Sequence, residues 1–183
     1  MRLLLALLAL VAFAAPARAQ DWIVDRASSA ITLEVGAFGG RHTGAFGRYD
    51  GTIRFDPAQP DKAAAAFRVE AGSLVMRPSV ATARATGPHF LDAARHPDIR
   101  FELRSLRPLG GARYTAEADV TIKGRTRRIA FPADLRTEGR TAQMTGGFDI
   151  DREAFGIGTE GVWNRLVARQ VRINVRLTAR RAG

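Results

Sequence analysis

The stretch YTAEADVTIKGRTRRIAFPADL, Tyr114 to Leu135, decides the fold of this chain. Apolar and polar residues alternate along it with a period of two, and the alternation is broken once, at Lys123-Gly124-Arg125. Successive side chains of a β-strand point to opposite faces, and a Gly turn between two alternating runs is typical of a hairpin. The sequence therefore predicts a β-hairpin with one face in a core and one face in water. The predicted inward residues are Tyr114, Ala116, Ala118, Val120, Ile122, Ile129, Phe131, Ala133 and Leu135.

The same alternation recurs along most of the chain. The predicted inward residues of the other strands are Ile31, Leu33 and Val35; Ala45, Gly47, Tyr49, Gly51, Ile53 and Phe55; Ala65, Phe67, Val69 and Ala71; Ile99, Phe101 and Leu103; Met144, Gly146, Phe148 and Ile150; and Val171, Ile173, Val175 and Leu177. With the hairpin they make eight strands, mostly linked by short turns. This pattern predicts an all-β fold, either an antiparallel barrel or a sandwich.

Two segments interrupt the alternation. Phe46 has the opposite parity to Ile53 and Phe55, so either its ring points outward or a bulge near Gly44 or Gly47 resets the strand.

The second interruption is residues 77–98, which have no period of two. Within it, the run His89 to Ala94 places Phe90 beside Ala93 and Ala94 at helical spacing. The sequence therefore predicts one short helical excursion between strands 3 and 4, with its helix over this run.

The N-terminal segment, 1–19, has the anatomy of a secretory signal peptide. Met1-Arg2 is positively charged, an apolar run from Leu3 to Ala15 follows, and Ala17-Arg18-Ala19 fits a small-x-small cleavage site. The run is shorter than the about 20 residues that a membrane-spanning helix needs; a buried N-terminal helix is the alternative. We predict a signal peptide at 1–19, a single domain at 20–183 and a periplasmic or secreted location. No Cys follows the cleavage site, so no lipid anchor is expected.

The composition restricts the kinds of site and partner. The sequence contains no Cys, which excludes disulfides, thiolate nucleophiles and Cys-based metal sites. Its formal net charge is +10, and this falls to +8 without the segment 1–19, which holds Arg2 and Arg18 and no acid. Such a charge can favour nucleic acid, anionic headgroups or an acidic partner. The Arg residues are spread along outward strand positions, however, so no nucleic-acid partner is predicted.

Many of the predicted inward residues are small. They are Ala45, Gly47, Ala65, Ala71, Ala116, Ala118, Ala133 and Gly146. An eight-stranded barrel either fills its interior with side chains or holds one small ligand, and an under-filled apolar interior is a binding cavity. The alternative is a flattened sandwich in which small residues face large ones across two sheets. The cavity hypothesis predicts an apolar, elongated ligand.

Several short motifs follow one another between Trp22 and Thr178. They are Trp22 to Ser29, Gly44-Ala45-Phe46, Asp50 to Pro57, Phe90-Leu91-Asp92-Ala93, His96-Pro97 with Phe101, Val120 to Arg127, Ile150-Asp151-Arg152, Phe155-Gly156-Ile157-Gly158 and Val171-Arg172-Ile173. Each is weak alone, but in order and spacing they resemble the YceI-like family. That resemblance implies an exported bacterial protein with an eight-stranded antiparallel lipocalin-like barrel that binds polyisoprenoids or other long-chain amphiphilic lipids.

The chain also departs from the pattern of that family. The family often has His near the positions of Ala27-Ser28-Ser29 and Ala37-Phe38, and its helical segment usually opens with Arg-Asp where Ala83 to Gly87 stands here. We expect these positions near the cavity mouth, where they bear on headgroup preference more than on fold.

We predict a ligand-binding protein without catalytic residues, metal or cofactor. The bound lipid would be a polyisoprenoid, an isoprenoid quinone or a fatty amphiphile, held as a carrier or buffer, with transient membrane contact and a homodimer as candidate associations. The predicted cavity residues are Val35, Phe38, Phe67, Val69, Phe90, Phe101, Ala116, Ala118, Phe131, Phe148, Phe155 and Trp163, with Arg84 and Arg95 as candidate headgroup contacts. Four of these aromatics lie outside clean strand positions, and they either gate the mouth or pack in the core: Phe38, Phe90, Phe155 and Trp163.

Two other classes of function stay open at this point. A hydrolase or isomerase acting on a bound lipid would need a group such as Ser73 or His89, but no spacing indicates a catalytic triad. Asp149 and Asp151 share a strand face with outward parity, which favours solvated acids. The His residues are too scattered to predict a metal site; they are His42, His89 and His96. A basic module for an acidic partner is the other class.

Overall fold

The computed structural model describes residues 20–182, and most of these residues lie in β-strands. The predicted signal peptide at 1–19 lies outside the described residues and stays a prediction. The strands are β1 (Gln20–Val24), β2 (Ala30–Ala37), β3 (Gly40–Phe46), β4 (Tyr49–Phe55), β5 (Ala64–Glu70), β6 (Leu74–Met76), β7 (Asp98–Gly110), β8 (Arg113–Ile122), β9 (Arg125–Glu138), β10 (Thr141–Asp151) and β11 (Val167–Arg181). The α-helices are α1 (Ser79–Thr86) and α2 (Trp163–Leu166), and 3-10 turns occupy Arg26–Ser28, Pro60–Lys62, Ala71–Ser73 and Arg152–Phe155.

These segments close into an antiparallel barrel. Three of its long strands are bent, so that β1 continues into β2, β3 into β4, and β5 into β6. Counted with these bends, eight strands follow one another around the described part of the barrel, in chain order. The last strand closes the ring, because β11 pairs with β10 along one edge and with β1 and β2 along the other. The predicted eight-stranded antiparallel barrel is confirmed, and the sandwich alternative is wrong.

The predicted hairpin from Tyr114 to Leu135 forms from β8 and β9. β8 and β9 pair in register from Arg113 opposite Asp134 to Ile122 opposite Arg125. The turn between them holds Lys123 at φ 50° and Gly124 at φ 72°, and two central residues with positive φ match the right-handed twist of the flanking strands. The predicted inward residues of β8 are all buried.

The break at Phe46 is a bend in the strand. Phe46 ends β3 and is buried, Tyr49 begins β4 and is buried, and Gly47 and Arg48 between them are exposed. Two residues outside the ladder reset the parity, as in the bulge alternative. The predicted inward position of Ala45 is therefore wrong, and so is that of Gly47, because the parity of β4 does not extend back into β3.

The helix of the excursion lies earlier than predicted. α1 covers Ser79–Thr86, whereas the run His89 to Ala94 forms turns. In that run Phe90 N donates to Gly87 O at 3.0 Å and Asp92 N to the same oxygen at 2.9 Å. The backbone folds back on Gly87 because Gly87 ends the helix and Pro88 cannot continue its hydrogen bonding.

One end of the barrel, which we call the floor, is packed with aromatic side chains. Trp22 is 3% exposed, and its indole N–H donates to Phe55 O at 3.0 Å. The rings of Phe55 and Tyr114 meet edge to face at 6.5 Å. Buried aromatic residues supply much apolar area per side chain, so they fill this end of the interior and anchor β1 to β4.

At the other end, the mouth, the wall is incomplete. In the described residues β6 pairs with β3 and not with β7. β7 pairs instead with β5, on the floor side of the bend between β5 and β6. α1 covers the gap, and Thr82 fixes it there: Met76 N donates to Thr82 Oγ1 at 2.8 Å, and Thr82 Oγ1 donates to Met76 O at 3.1 Å. The helix thus satisfies backbone groups at the free edge of β6.

The outer face carries paired charges. Asp119 on β8 accepts hydrogen bonds from Arg104 at 2.7 Å and Arg128 at 2.8 Å, on the two neighbouring strands. Asp151 accepts from Arg169 at 2.6 Å. The outward parity predicted for Asp151 and Asp149 is confirmed, and several Arg residues of the strands form cross-strand ion pairs with acids of the outer face.

Candidate ligand-binding cavity

A cavity of about 300 Å³ occupies the half of the barrel nearer the mouth. All eight strands of the barrel, α1 and the two segments that flank the mouth contribute to its lining. The lining is apolar except for His42, Arg84 and Arg152. Ligand pockets are concave and mostly apolar with a few placed polar groups, and this lining fits that description.

A smaller cavity of about 90 Å³ lies toward the floor. Both cavities share five lining residues, which we call the waist: Phe67, Phe101, Phe131, Met144 and Leu177. Phe101 stands edge to face with Phe67 at 6.4 Å and with Phe131 at 6.3 Å. The waist is therefore an aromatic partition that divides the interior of the barrel in two.

Three aromatic rings and one Arg meet at the mouth. Trp163 on α2 lies 6.1 Å from the ring of Phe38 and 5.9 Å from that of Phe90. The guanidinium carbon of Arg84, on α1, lies 4.6 Å from the centre of the Trp163 ring and 5.7 Å from that of Phe38. A cation over an aromatic face is attracted by the ring quadrupole, so Arg84 ties the helix to the opposite side of the mouth.

The loop that carries Trp163 is held by a buried cation. Arg152 is 1% exposed and donates to five backbone carbonyls and to the side-chain oxygen of Asn164. These bonds measure 2.8–3.1 Å, and the acceptors all lie between Ile157 and Ala168. A buried charge is costly unless its hydrogen bonds are satisfied, so the segment must wrap around Arg152. Arg152 was not among the predicted site residues. Its position was a usable signal, because it follows the inward residue Ile150 by two and so places a cation at an inward position.

The hairpin turn also supports the mouth. Lys123 Nζ donates to Gly156 O at 3.1 Å, and Arg127 Nη2 donates to Ala154 O at 3.0 Å. Gly158 has φ +59°, and a Cβ there would lie 2.8 Å from the Phe90 ring. A Gly is therefore required at this position for both backbone and packing reasons.

The predicted site residues fall into three groups. Those that line the larger cavity are Val35, Phe38, Phe67, Val69, Arg84, Phe90, Phe101, Phe131 and Phe148. Ala116 lines the smaller cavity. Those that line neither are Ala118, Phe155, Trp163 and Arg95. Phe155 is buried at 2% exposure, which is core packing, and Arg95 donates to Asp92 at 2.8 Å, away from the lining.

The free space does not lie where the small residues are. None of the small residues proposed as lining borders the larger cavity, and only Ala65, Ala116 and Ala133 border the smaller one. A Cβ on Gly146 would meet the Phe131 ring at 3.1 Å. At Gly146 the missing side chain makes room for the waist, because the Phe131 ring of the neighbouring strand β9 packs over it.

The groups considered for chemistry are occupied elsewhere. Ser73 Oγ donates to Glu70 O at 2.7 Å, and His89 Nδ1 lies 3.4 Å from Glu160 Oε2. Within residues 20–182, no three His, Asp or Glu side chains are grouped so as to hold a metal ion.

In the same residues, no helix is both long enough and apolar enough to cross a bilayer.

The closed barrel and its apolar cavity define a lipocalin-like β-barrel protein. The chain belongs to the YceI-like family, because the model of the YceI-like domain matches residues 22–179. This confirms the resemblance read from the motifs.

Relatives and solved structures agree with this assignment. A UPF0312 protein of Pseudomonas savastanoi pv. phaseolicola is 25% identical over 157 residues, which cover 81% of this chain and 82% of that protein. The crystal structure of BcnA from Burkholderia cenocepacia is 27% identical, with a TM-score of 0.80 over 85% of this chain and 98% of that one. A polyisoprenoid binding domain from Saccharophagus degradans is 11% identical, with a TM-score of 0.70 over 90% of this chain and 100% of that one. At that identity the likeness is one of fold.

Proposed function

We propose that this protein is exported and holds a long-chain isoprenoid, quinone-like or fatty amphiphile in the larger cavity, as a carrier or buffer. The observation that carries the proposal is the lining, which is apolar at every position but three. Burial of an alkyl chain gains about 0.8 kcal/mol per methylene. About ten buried methylenes therefore gain on the order of 8 kcal/mol before the costs of association.

Two further observations support the proposal. A domain that shares this fold is named for polyisoprenoid binding. The segment 1–19 has the pattern of a signal peptide, which supports export to the periplasm. We propose binding without turnover and without a cofactor, because the polar groups of the lining are engaged in holding the mouth together.

The headgroup would lie at the mouth, beside Arg84. Its guanidinium borders the cavity and stacks on Trp163 and Phe38, with no carboxylate within 4.0 Å among the described residues. An Arg in this setting can donate to a phosphate or carboxylate. We therefore propose weak selectivity for the chemistry of the tail and a preference for polar or anionic heads.

Native mass spectrometry of the protein, purified from its host and then offered defined lipids, tests the proposal. The informative variant is Val175→Trp, since Val175 points into the cavity from β11. The added ring should fill the cavity, abolish the lipid-bound mass and leave the melting temperature close to that of the parent. The matched control is Arg176→Trp, one residue further on the outer face, which should keep the lipid. Repeated absence of lipid from the parent protein, both as isolated and after addition of lipid, would refute the proposal.

A further inference from the structure

Large exposed hydrophobic side chains gather at the mouth. In the described residues seven such side chains are exposed: Ile23, Phe38, Val75, Val80, Leu109, Val162 and Leu166. Four of them surround the opening, and we call these the rim: Phe38 at 52%, Val80 at 61%, Val162 at 47% and Leu166 at 39% exposed. Single exposed apolar residues are ordinary, whereas a contiguous group marks an interaction site.

Backbone hydrogen bonds bring three of the four rim residues together. Phe38 N donates to Leu166 O at 2.9 Å, which places the β2–β3 turn beside α2. Leu166 N in turn donates to Val162 O at 3.3 Å. Val80 lies on α1 and, like Phe38, borders the larger cavity. The rim is thus continuous with the apolar lining.

The charges around the rim are mainly positive. Arg77 and Arg84 flank Val80, and Arg165 lies between Val162 and Leu166. None of the three has a carboxylate within 4.0 Å in the described part of the chain. Glu160 is the nearby acid, and its carboxylate lies 3.4 Å from His89. An exposed apolar group with unneutralised Arg residues around it complements a surface whose outer layer is anionic and whose interior is apolar.

We infer that the rim docks on an anionic lipid bilayer, with the mouth of the cavity against the membrane. Interfacial binding takes buried apolar area together with attraction to anionic headgroups, and the mouth supplies both. Trp163 lies beside the rim, where an amphipathic ring suits the headgroup level. Docking at the rim goes beyond the proposed function and does not depend on it. Only the purpose of docking rests on the proposed function: a lipid could then pass between the bilayer and the barrel without crossing water.

Vesicle co-flotation tests the inference. The protein should float with phosphatidylcholine vesicles that contain phosphatidylglycerol, and less with phosphatidylcholine alone or at high salt, because attraction to headgroups is screened. Val162→Ser/Leu166→Ser should lower the partition coefficient about tenfold or more, as apolar area is lost. Arg77→Gln and Arg165→Gln should each lower it about fivefold, at about 1 kcal/mol per cation.

The controls lie at the floor end of the barrel. Leu109→Ser, near the end of β7, and Arg136→Gln, near the end of β9, remove the same kinds of side chain and should leave vesicle binding unchanged. Equal loss in rim and control variants, or binding of the rim variants like the parent, overturns the inference. A dimer of the parent that Val162→Ser/Leu166→Ser converts to a monomer also overturns it, because a second copy then covers the rim.

The two proposals fail separately. Val162, Leu166, Arg77 and Arg165 do not line the cavity, so these variants should keep lipid from detergent solution in native mass spectra. Lost flotation with retained lipid supports docking at the rim. Flotation of a parent protein that never holds lipid supports docking and refutes the proposed cavity function.

Discussion

The guanidinium of Arg152 uses all five of its N–H donors on acceptors between Ile157 and Ala168. Those residues carry α2 and half of the rim, so the geometry of the mouth depends on one side chain. Glu153 Oε1 lies 3.7 Å away, but carbonyl oxygens make the closer contacts. The burial of the charge is compensated by backbone dipoles more than by a counter-ion.

Arg152→Lys should lower the free energy of unfolding by about 2–4 kcal/mol. An ammonium has three donors and no planar fork, so several buried carbonyls lose their partner. Urea denaturation measures the change. The control is Arg169→Lys, an exposed partner of Asp151, which should cost less than about 1 kcal/mol. Equal effects of the two substitutions would contradict the role given to Arg152.

At this scale, strand parity predicts which side chains point inward along an uninterrupted strand. It fails where the backbone bends. It placed Val120 and Phe131 inside and Asp119 outside, because the β8–β9 ladder has no interruption. Parity failed at Ala45. Gly47 and Arg48 shift the alternation between β3 and β4, and a period of two does not show where such a shift occurs. Cavity lining is harder still, because it depends on which side chains meet across the barrel, as Ala118 illustrates: it is fully buried and borders no cavity.

At the scale of elements, the β7, β8 and β9 strands are joined on the outer face through Asp119. Hydrogen bonds from Arg128 and Arg104 lower the pKa of Asp119 to about 2, against an ordinary value of 3.8. The carboxylate pairs only in the folded barrel. Its contribution to stability is therefore complete above the unfolded pKa and is lost as the pH falls through the folded value.

Asp119→Asn should reduce stability near neutral pH and flatten its decline between about pH 4 and pH 2. Melting temperatures across that range measure the effect. Asp61→Asn, in the exposed turn before β5, should follow the parent curve. A parallel decline in the parent and in Asp119→Asn would show that the Asp119 pair does not contribute to acid sensitivity.

The waist is a second feature at this scale, since β5, β7 and β9 each contribute one of its rings. Phe131→Ala should join the two cavities and shift the preferred ligand toward longer tails. A series of fatty acids of increasing length, competed in native mass spectra, measures the shift.

Phe148→Ala is the matched control for this change. Phe148 stands 5.0 Å from Phe131 and lines the larger cavity only, so its removal widens that cavity without opening a passage. Each substitution should cost about 3–5 kcal/mol of stability, which makes the two variants comparable. The same length preference in both would contradict the waist as a partition.

The helix over Ser79–Thr86 could not be placed from the sequence, and the reason is tertiary. Its sequence SVATARAT has little amphipathic pattern and forms a helix where Thr82 satisfies the free edge of β6. The run at His89 to Ala94 has better helical spacing but is turned by Gly87-Pro88. Local periodicity therefore pointed to the wrong half of the excursion.

At the scale of the whole molecule, closure of the sheet distinguishes a barrel from a sandwich, a choice that the composition left open. Barrel and sandwich share the same strands and parities, and they differ in the pairing of β1 and β2 with β11. These contacts join positions far apart in the chain, as between Ser29 and Thr178, and no local signal specifies them. The family motifs supplied that information before the structure did.

Ligand binding should stabilise the whole barrel by mass action. A lipid present at about 100 times its dissociation constant adds about 2.7 kcal/mol, which should raise the melting temperature by roughly 5–10 °C for a domain of this size. Thermal unfolding with a graded series of an isoprenoid quinone measures the shift. Val175→Trp, with its cavity filled, should show none. A parent protein that melts at the same temperature at every lipid concentration would contradict specific binding.

The position of β11 sets the order in which the interior can form. This strand pairs with β10, β1 and β2, and it also lines the larger cavity from Val167 to Leu177. Until residues 167–181 are in place, β10 on one side and β1 and β2 on the other are open edges, which invite pairing with other chains. Closing so long a loop makes folding slow for the size of the domain. The step that ends this aggregation-prone interval is therefore the same step that creates the cavity.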